Sequence, residues 1–157
     1  MKNLLYFLVI LVSLRSYGQG YGHDKVSLTN FIKRMYTANP FEGVKIVDDY
    51  DHQYLISVIS LEKAKYISES VMNRVAQVKA QSQASTFLNG ATISMDMIIT
   101  TKETKDSTNN ATTIVETVER IKQNSDGFSK GLELLANFDN LDSLRMVFIY
   151  MRELKTE

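Results

Sequence analysis

Residues 131–153 read GLELLANFDNLDSLRMVFIYMRE, and this stretch decides the fold. Gly131 to Phe138 and Leu144 to Glu153 are runs that suit β-strands. Asp139-Asn140-Leu141-Asp142-Ser143 between them is a cluster of turn formers, so the pair reads as a closing hairpin. Met146, Val147, Phe148, Ile149 and Tyr150 are apolar without interruption. A strand with one wet face alternates apolar and polar residues, so an unbroken run fits a central strand.

Upstream, Ile114, Val118 and Ile121 have helical spacing, while their Thr-rich flank also suits a strand; residues 112–122 stay open between the two. Lys102 to Asn110 is polar and reads as a mobile loop. Ala91 to Thr101 alternates, with Ile93, Met95, Met97 and Ile99 on one side and Thr92, Ser94, Asp96 and Thr100 on the other. That is a strand with one wet face. Glu62 to Leu88 reads as the long helix. Ile67, Val71, Val75 and Val78 form its expected apolar stripe, continued loosely by Phe87 and Leu88, and Asn89-Gly90 supplies its stop. In its second half Ala80, Ser82, Ala84 and Ser85 are small enough to let a helix lie close to a neighbour.

Val44 to Asp49 and Gln53 to Leu61 read as a first hairpin around the polar run Asp48-Asp49-Tyr50-Asp51-His52. Apolar residues on both faces of 53–61 place that strand inside a sheet. Leu28, Phe31, Ile32, Met35 and Tyr36 fall on one helical face, with Ser27 as N-cap and Asn39-Pro40 as stop. This gives a helix at about 27–38. Strands grouped in hairpins beside helices predict an α+β fold. The expected form is a mainly antiparallel sheet of about five strands, with a long helix and one or two shorter helices packed on one face.

The second half also resembles a known family. Ala76, Lys79, Ala80 and Ala84 run into Phe87-Leu88-Asn89-Gly90. An extended strand follows, then Ser125-Asp126-Gly127-Phe128, Gly131 and a closing Val147-x-Ile149. Over residues 60–153 this resembles the N-terminal domain of flagellar assembly protein T and the related small LPP-type surface lipoproteins. The resemblance implies an α+β envelope domain that works by contact with other proteins. The chain departs from the pattern in having no lipid-bearing Cys, and the helix at 27–38 with the first hairpin lies outside it.

The first residues carry an export pattern. Lys2 is basic, Leu4 to Leu14 is largely apolar, and Ser16 and Gly18 are small and spaced as a signal peptidase requires. As a helix the apolar run is about 16 Å long, against about 30 Å of hydrocarbon, so it is too short to span stably. The expected organisation is a signal peptide at 1–18 cut after Gly18, a flexible leader at 19–26 and a single domain at 27–155. Arg15 is an irregularity in that cleavage region.

Cysteine is absent, which excludes disulfides, thiolate zinc sites and cysteine nucleophiles. Removing Lys2 and Arg15 from 18 basic and 18 acidic residues leaves 16 against 18. The exported chain then carries about −2 and offers no broad positive field to nucleic acid or anionic lipid.

Asp48, Asp49, Asp51 and His52 are the candidate metal ligands, being the right donors for a divalent cation. They lack the Gly and the bidentate Glu of a full calcium loop, and a solvated hairpin tip accounts for them more simply. Asp139, Asn140 and Asp142 have the same difficulty. No metal and no cofactor is expected. Glu62, Glu69, Glu116 and Glu119 could pair for acid–base work, but a wet helix face explains them better, and His23 sits in the leader. Met95, Met97, Met146 and Met151 could form a Met-rich face for copper or an adaptable peptide, but core filling accounts for them more simply. Tyr50, Tyr54, Tyr66 and Tyr150 fit either half-burial or an interface.

The first functional expectation is an exported, non-enzymatic envelope protein that acts through protein–protein contact. A periplasmic small-ligand carrier, with its cavity between the sheet and the long helix, is the alternative. A hydrolase comes third.

Overall fold

A computed structural model describes residues 23–49, 52–90, 97–100, 115–116, 118–122 and 125–154. Helix α1 spans His23–Ala38, β1 Gly43–Asp49, β2 His52–Glu62, α2 Glu69–Gly90 and β3 Ile98–Thr100. Helix α3 follows at Ser125–Lys130, then β4 at Glu133–Asp139 and β5 at Arg145–Glu153. The α+β class expected from the sequence is the class of the fold. Among the described residues five strands form one sheet in the order β3-β1-β2-β5-β4.

The two long strands of the sheet interior are those with apolar residues on both faces. In β2, Tyr54 to Leu61 is buried throughout, and β5 is buried from Val147 to Met151. They pair antiparallel along their whole length, from Tyr54 opposite Glu153 to Glu62 opposite Arg145. Both hairpins form as expected, β1 with β2 and β4 with β5. The second turn is held by its own side chains. Asn140 Oδ1 accepts the Arg145 amide at 3.1 Å, and Asp142 Oδ1 accepts the Leu144 amide at 2.8 Å. Ser143 takes the positive φ that the tight turn needs, at 57°.

The sheet is mainly antiparallel, as expected, and strand β3 is its parallel member. It pairs parallel to β1, Ile46 opposite Ile98 and Asp48 opposite Thr100. The chain leaves β2, returns along α2 and rejoins the sheet on the far side of β1. A parallel neighbour needs such a crossover.

The helices do not share one face. Alternate residues of each strand project to opposite sides. Ile46, Leu55, Ile59, Phe148 and Tyr150 meet α2. Val47, Ile56, Val58, Val147 and Ile149 meet Leu28, Ile32 and Tyr36 of α1. The sheet is therefore filling for two helical layers, which is why its central strands carry no polar face. Helix α1 uses the predicted stripe, but it begins at His23, upstream of the expected start. Ser27 lies exposed within the helix and is not its cap.

Helix α2 corrects the sequence reading twice. Its start is Glu69, because Glu62 still belongs to β2, opposite Arg145, and Lys63–Lys65 form a 3-10 turn. Ser68 is the residue that caps it: its Oγ accepts the Val71 amide at 3.3 Å. The buried face is shifted over the first half of the helix, while Phe87 and Leu88, and the small Ala80 and Ala84, are buried as expected. Met72, Ala76, Ala80, Ala84, Phe87 and Leu88 are buried, whereas Ile67 is 95% exposed and Val78 66%. Alanines at every fourth position form a flat ladder that brings the helix axis close to the sheet. The larger valines fall beside or outside that line of approach.

Residues 118–122 are helical, and Val118 is fully buried in the α2-side core. The alternatives left open for 112–122 thus resolve to helix over its described part. The signal peptide at 1–18, Tyr50, Asp51, the strand at 91–96 and the loop at 102–110 lie outside the described residues.

Candidate binding cleft

The candidate site is built at the end of β5. Phe148, Tyr150 and Arg152 occupy one face of that strand. The first two are core, so the third reaches the core's margin with a charge. Helix α3 meets it there. The last four carbonyls of any helix lack partners inside it. In α3 these belong to residues 127 to 130, and each finds one. Arg152 Nη1 donates to the carbonyls of Gly127 at 2.8 Å and Phe128 at 2.6 Å. The Leu132 amide donates to Ser129 and the Gln81 side chain to Lys130. The Arg152 guanidinium also lies over the Phe128 ring, 4.5 Å from its centroid. A cation at a helix C-terminus is favoured by the helix dipole as well.

Gly131 makes this possible. A Cβ at that position would lie on the Arg152 guanidinium. The Gly131 φ is not in the left-handed region, so the position requires glycine for room and not for backbone freedom.

Around Arg152 an open cleft of about 870 Å³ runs past the end of the sheet. Tyr54, Ile121, Phe128 and Met151 provide its apolar lining. Lys25, Arg120 and Arg152 are its cations, and Glu133 and Glu153 its acids. The acids are matched. Glu133 lies 3.7 Å from Lys25, and Glu153 accepts from or pairs with His52 Nδ1 at 2.8 Å. The His52 ring stacks on Tyr54, 6.1 Å between centroids. Arg120 is exposed and makes no hydrogen bond or ion pair among the described residues.

A smaller groove of about 240 Å³ adjoins the cleft between α1 and β4. The β4–β5 register slips between Leu134 and Ala136, which marks a bulge. A bulge re-aims side chains locally. Here Leu134 and Leu135, adjacent in sequence, both line the groove with Val26 and Thr29 of α1. Strand β4 is an edge of the sheet.

The sequence candidates do not converge. Asp48 is 5% exposed and shares a strand face with Ile46, toward α2; Asp49 points the other way, half-buried. His52 is engaged with Glu153, and Asp51 lies outside the described residues. Among the described residues no group of His, Asp and Glu is arranged to hold a metal ion. Asp139 pairs with Lys63, while Asn140 and Asp142 serve the turn. Glu62 pairs with Lys65 and Arg145, and Glu119 with Lys122; Glu69 and Glu116 are exposed. Tyr54 and Tyr150 are buried. Met97 and Met146 pack on the α2-side core and Met151 on the α1 side, while Met95 and Tyr50 lie outside the described residues.

Arg152 was open to a sequence reading through strand parity. It continues a row whose other members, Phe148 and Tyr150, are apolar. Arg145 does the same on the opposite face, continuing the row of Val147 and Ile149. Arg120 carries no such signal, since it comes from a segment whose secondary structure the sequence leaves open.

No protein family, curated protein or solved structure matches the chain.

Proposed function

We propose that this chain is an exported, non-enzymatic protein of a bacterial envelope that acts through contact with another protein. One observation carries the reading: the cleft, the apolar groove and the edge strand β4 lie together at one end of the sheet. Together they form a continuous open surface with apolar lining, and an unpaired strand edge is a ready template for another chain. The basic start, short apolar run and small residues before Gln19 support export, and the absence of Cys argues against a lipid anchor.

A small-ligand carrier is the second reading, and the cleft favours it in a changed form. The space between the sheet and α2 is filled by Met72, Ala76, Ala80 and Leu88. A ligand would have to use the cleft at the end of β5. Hydrolysis draws no support from the cleft's carboxylates, each of which is already engaged, Glu133 with Lys25 and Glu153 with the His52 ring.

The test is crosslinking in the native envelope fraction, comparing the wild-type chain with Leu134→Lys. Leu134 is 47% exposed, so the fold tolerates the change. A specific crosslinked partner lost in the variant supports contact at this surface. No partner above control, together with a tightly bound small molecule, overturns it in favour of the carrier. The N-terminal residue of the exported product checks the leader: cleavage upstream of Ser16 contradicts the expected site.

A further inference from the structure

We propose that the cleft at the end of β5 is a carboxylate-binding site that receives an acidic, extended segment of a partner protein through Arg120 and Arg152. The inference rests on the contact reading and names the chemistry of the partner.

Charge matching is the first argument. Of the five charged residues lining the cleft three are basic and two acidic; Glu133 is matched by Lys25, and Glu153 shares a hydrogen bond with the His52 ring. The two arginines are left with no carboxylate among the described residues. Arg152 spends Nη1 on two backbone carbonyls, which satisfy hydrogen bonds without neutralising its charge. Its Nε and Nη2 have no protein partner among the described residues. The cleft thus keeps a positive excess although the chain as a whole is near neutral.

Preorganisation is the second. The Arg152 guanidinium is fixed by two carbonyls, by the Phe128 ring and by the room left at Gly131. A planar guanidinium held in place loses little freedom on binding and matches the two oxygens of a carboxylate. Arg120, exposed and without a hydrogen bond or ion pair among the described residues, supplies a second donor fork on the same cleft.

Size and lining are the third. About 870 Å³ is far more than one oxyanion fills, and Tyr54, Phe128 and Met151 give apolar contact beside the charge. An extended acidic segment with an apolar or aromatic residue between its carboxylates uses both.

The experiment titrates the full chain with three probes: acetyl-Glu-Phe-Glu-Phe-Glu-amide, the same peptide with Gln for each Glu, and inorganic phosphate. Binding is followed by calorimetry at low and high salt. The acidic peptide is expected to bind at least about tenfold more tightly than the Gln peptide and to weaken as salt rises. Arg120→Gln should weaken it about tenfold with an unchanged circular dichroism spectrum, since Arg120 is exposed and makes no hydrogen bond or ion pair among the described residues. Arg152→Lys should weaken it further by removing the fork while keeping the charge. Equal binding of the two peptides overturns the proposal, as does wild-type affinity in Arg120→Gln. Phosphate binding as tightly as the acidic peptide, and displacing it, overturns the peptide assignment in favour of a small-oxyanion site. The two readings fail differently. A partner crosslinked equally by wild type and Arg120→Gln keeps the contact reading and sinks the site. Peptide binding with no partner in the envelope keeps the site and sinks the contact reading.

Discussion

The guanidinium of Arg152 occupies the space that a side chain at Gly131 would take. The two residues are therefore one structural unit, although only one of them has a functional group. Gly131→Ala pushes the Arg152 guanidinium off the carbonyls of Gly127 and Phe128, but Phe128 keeps the Gly131 amide as donor and the exposed Gly127 carbonyl can turn to water. A loss of less than about 1 kcal/mol is expected, read as a lower urea midpoint with unchanged slope. Arg152→Ala should cost a similar amount. The double variant should cost less than the sum, because the second change removes nothing the first has left. Full additivity would show that the two act separately.

The alanine ladder of α2 predicts a contrast between size and position. Ala80 is fully buried against the sheet, and Val78 is 66% exposed. Ala80→Leu should destabilise by about 1–3 kcal/mol through overpacking, whereas Val78→Ala should stay within about 0.5 kcal/mol. Denaturant unfolding of the two variants decides it. The opposite ranking would restore the Val71–Val78 stripe as the packing face.

Arg145 fastens the other end of β5. Its Nε donates to Ser60 Oγ at 2.7 Å and its Nη2 to the Ser60 carbonyl at 2.8 Å, with Glu42 and Glu62 nearby at 3.2 and 3.5 Å. Arg145→Ala strands the partly buried groups of Ser60 and should cost about 2 kcal/mol. Glu42→Gln removes only a half-exposed ion pair and should cost less than about 1 kcal/mol. Thermal unfolding of both variants measures the ratio, and equal losses would mean the surface pair dominates.

Burial in the α2-side core holds the Tyr150 hydroxyl above its ordinary value of 10.0, because the phenolate would lose its hydration there. The unfolded chain ionises this group near 10.0 while the folded one still keeps its proton. The stability linked to this group is thus intact below pH 10.0 and is lost as pH rises past it toward the folded value. Tyr150→Phe should flatten that alkaline loss. The phenolate absorbance of the wild type should show one tyrosine titrating late, together with unfolding. An identical alkaline limb in the variant would assign the loss to other groups.

Much of this fold is written locally. The unbroken apolar run from Met146 to Tyr150 identifies an interior strand, and it implies cover on both faces of the sheet, a consequence the sequence reading did not draw. The α1 stripe of Leu28, Ile32 and Tyr36 was legible because large apolar residues do its packing. In α2 the rule reverses. There the approach is set by the smallest residues: Ala80 and Ala84, whose size already pointed to close approach, are buried, while the valine stripe ranked by hydrophobic size fails at Val78. The parallel β1–β3 pairing depends on where a crossover lands, which no local pattern encodes. The cleft was hidden for the same reason. Arg152 betrays itself by strand parity, but Lys25, Arg120 and Phe128 come together only through the tertiary fold.

The position of β5 has a kinetic meaning as well. It is an interior strand of the sheet, yet the β2 residue Ser60 meets Arg145 across 85 residues of chain. Until that late strand is available, β2 has an open edge and both helices have only part of a sheet to cover. Topologies that depend on such distant pairings close slowly. In a chain proposed to cross a membrane before it folds, this delay prolongs the time in which it can still be threaded.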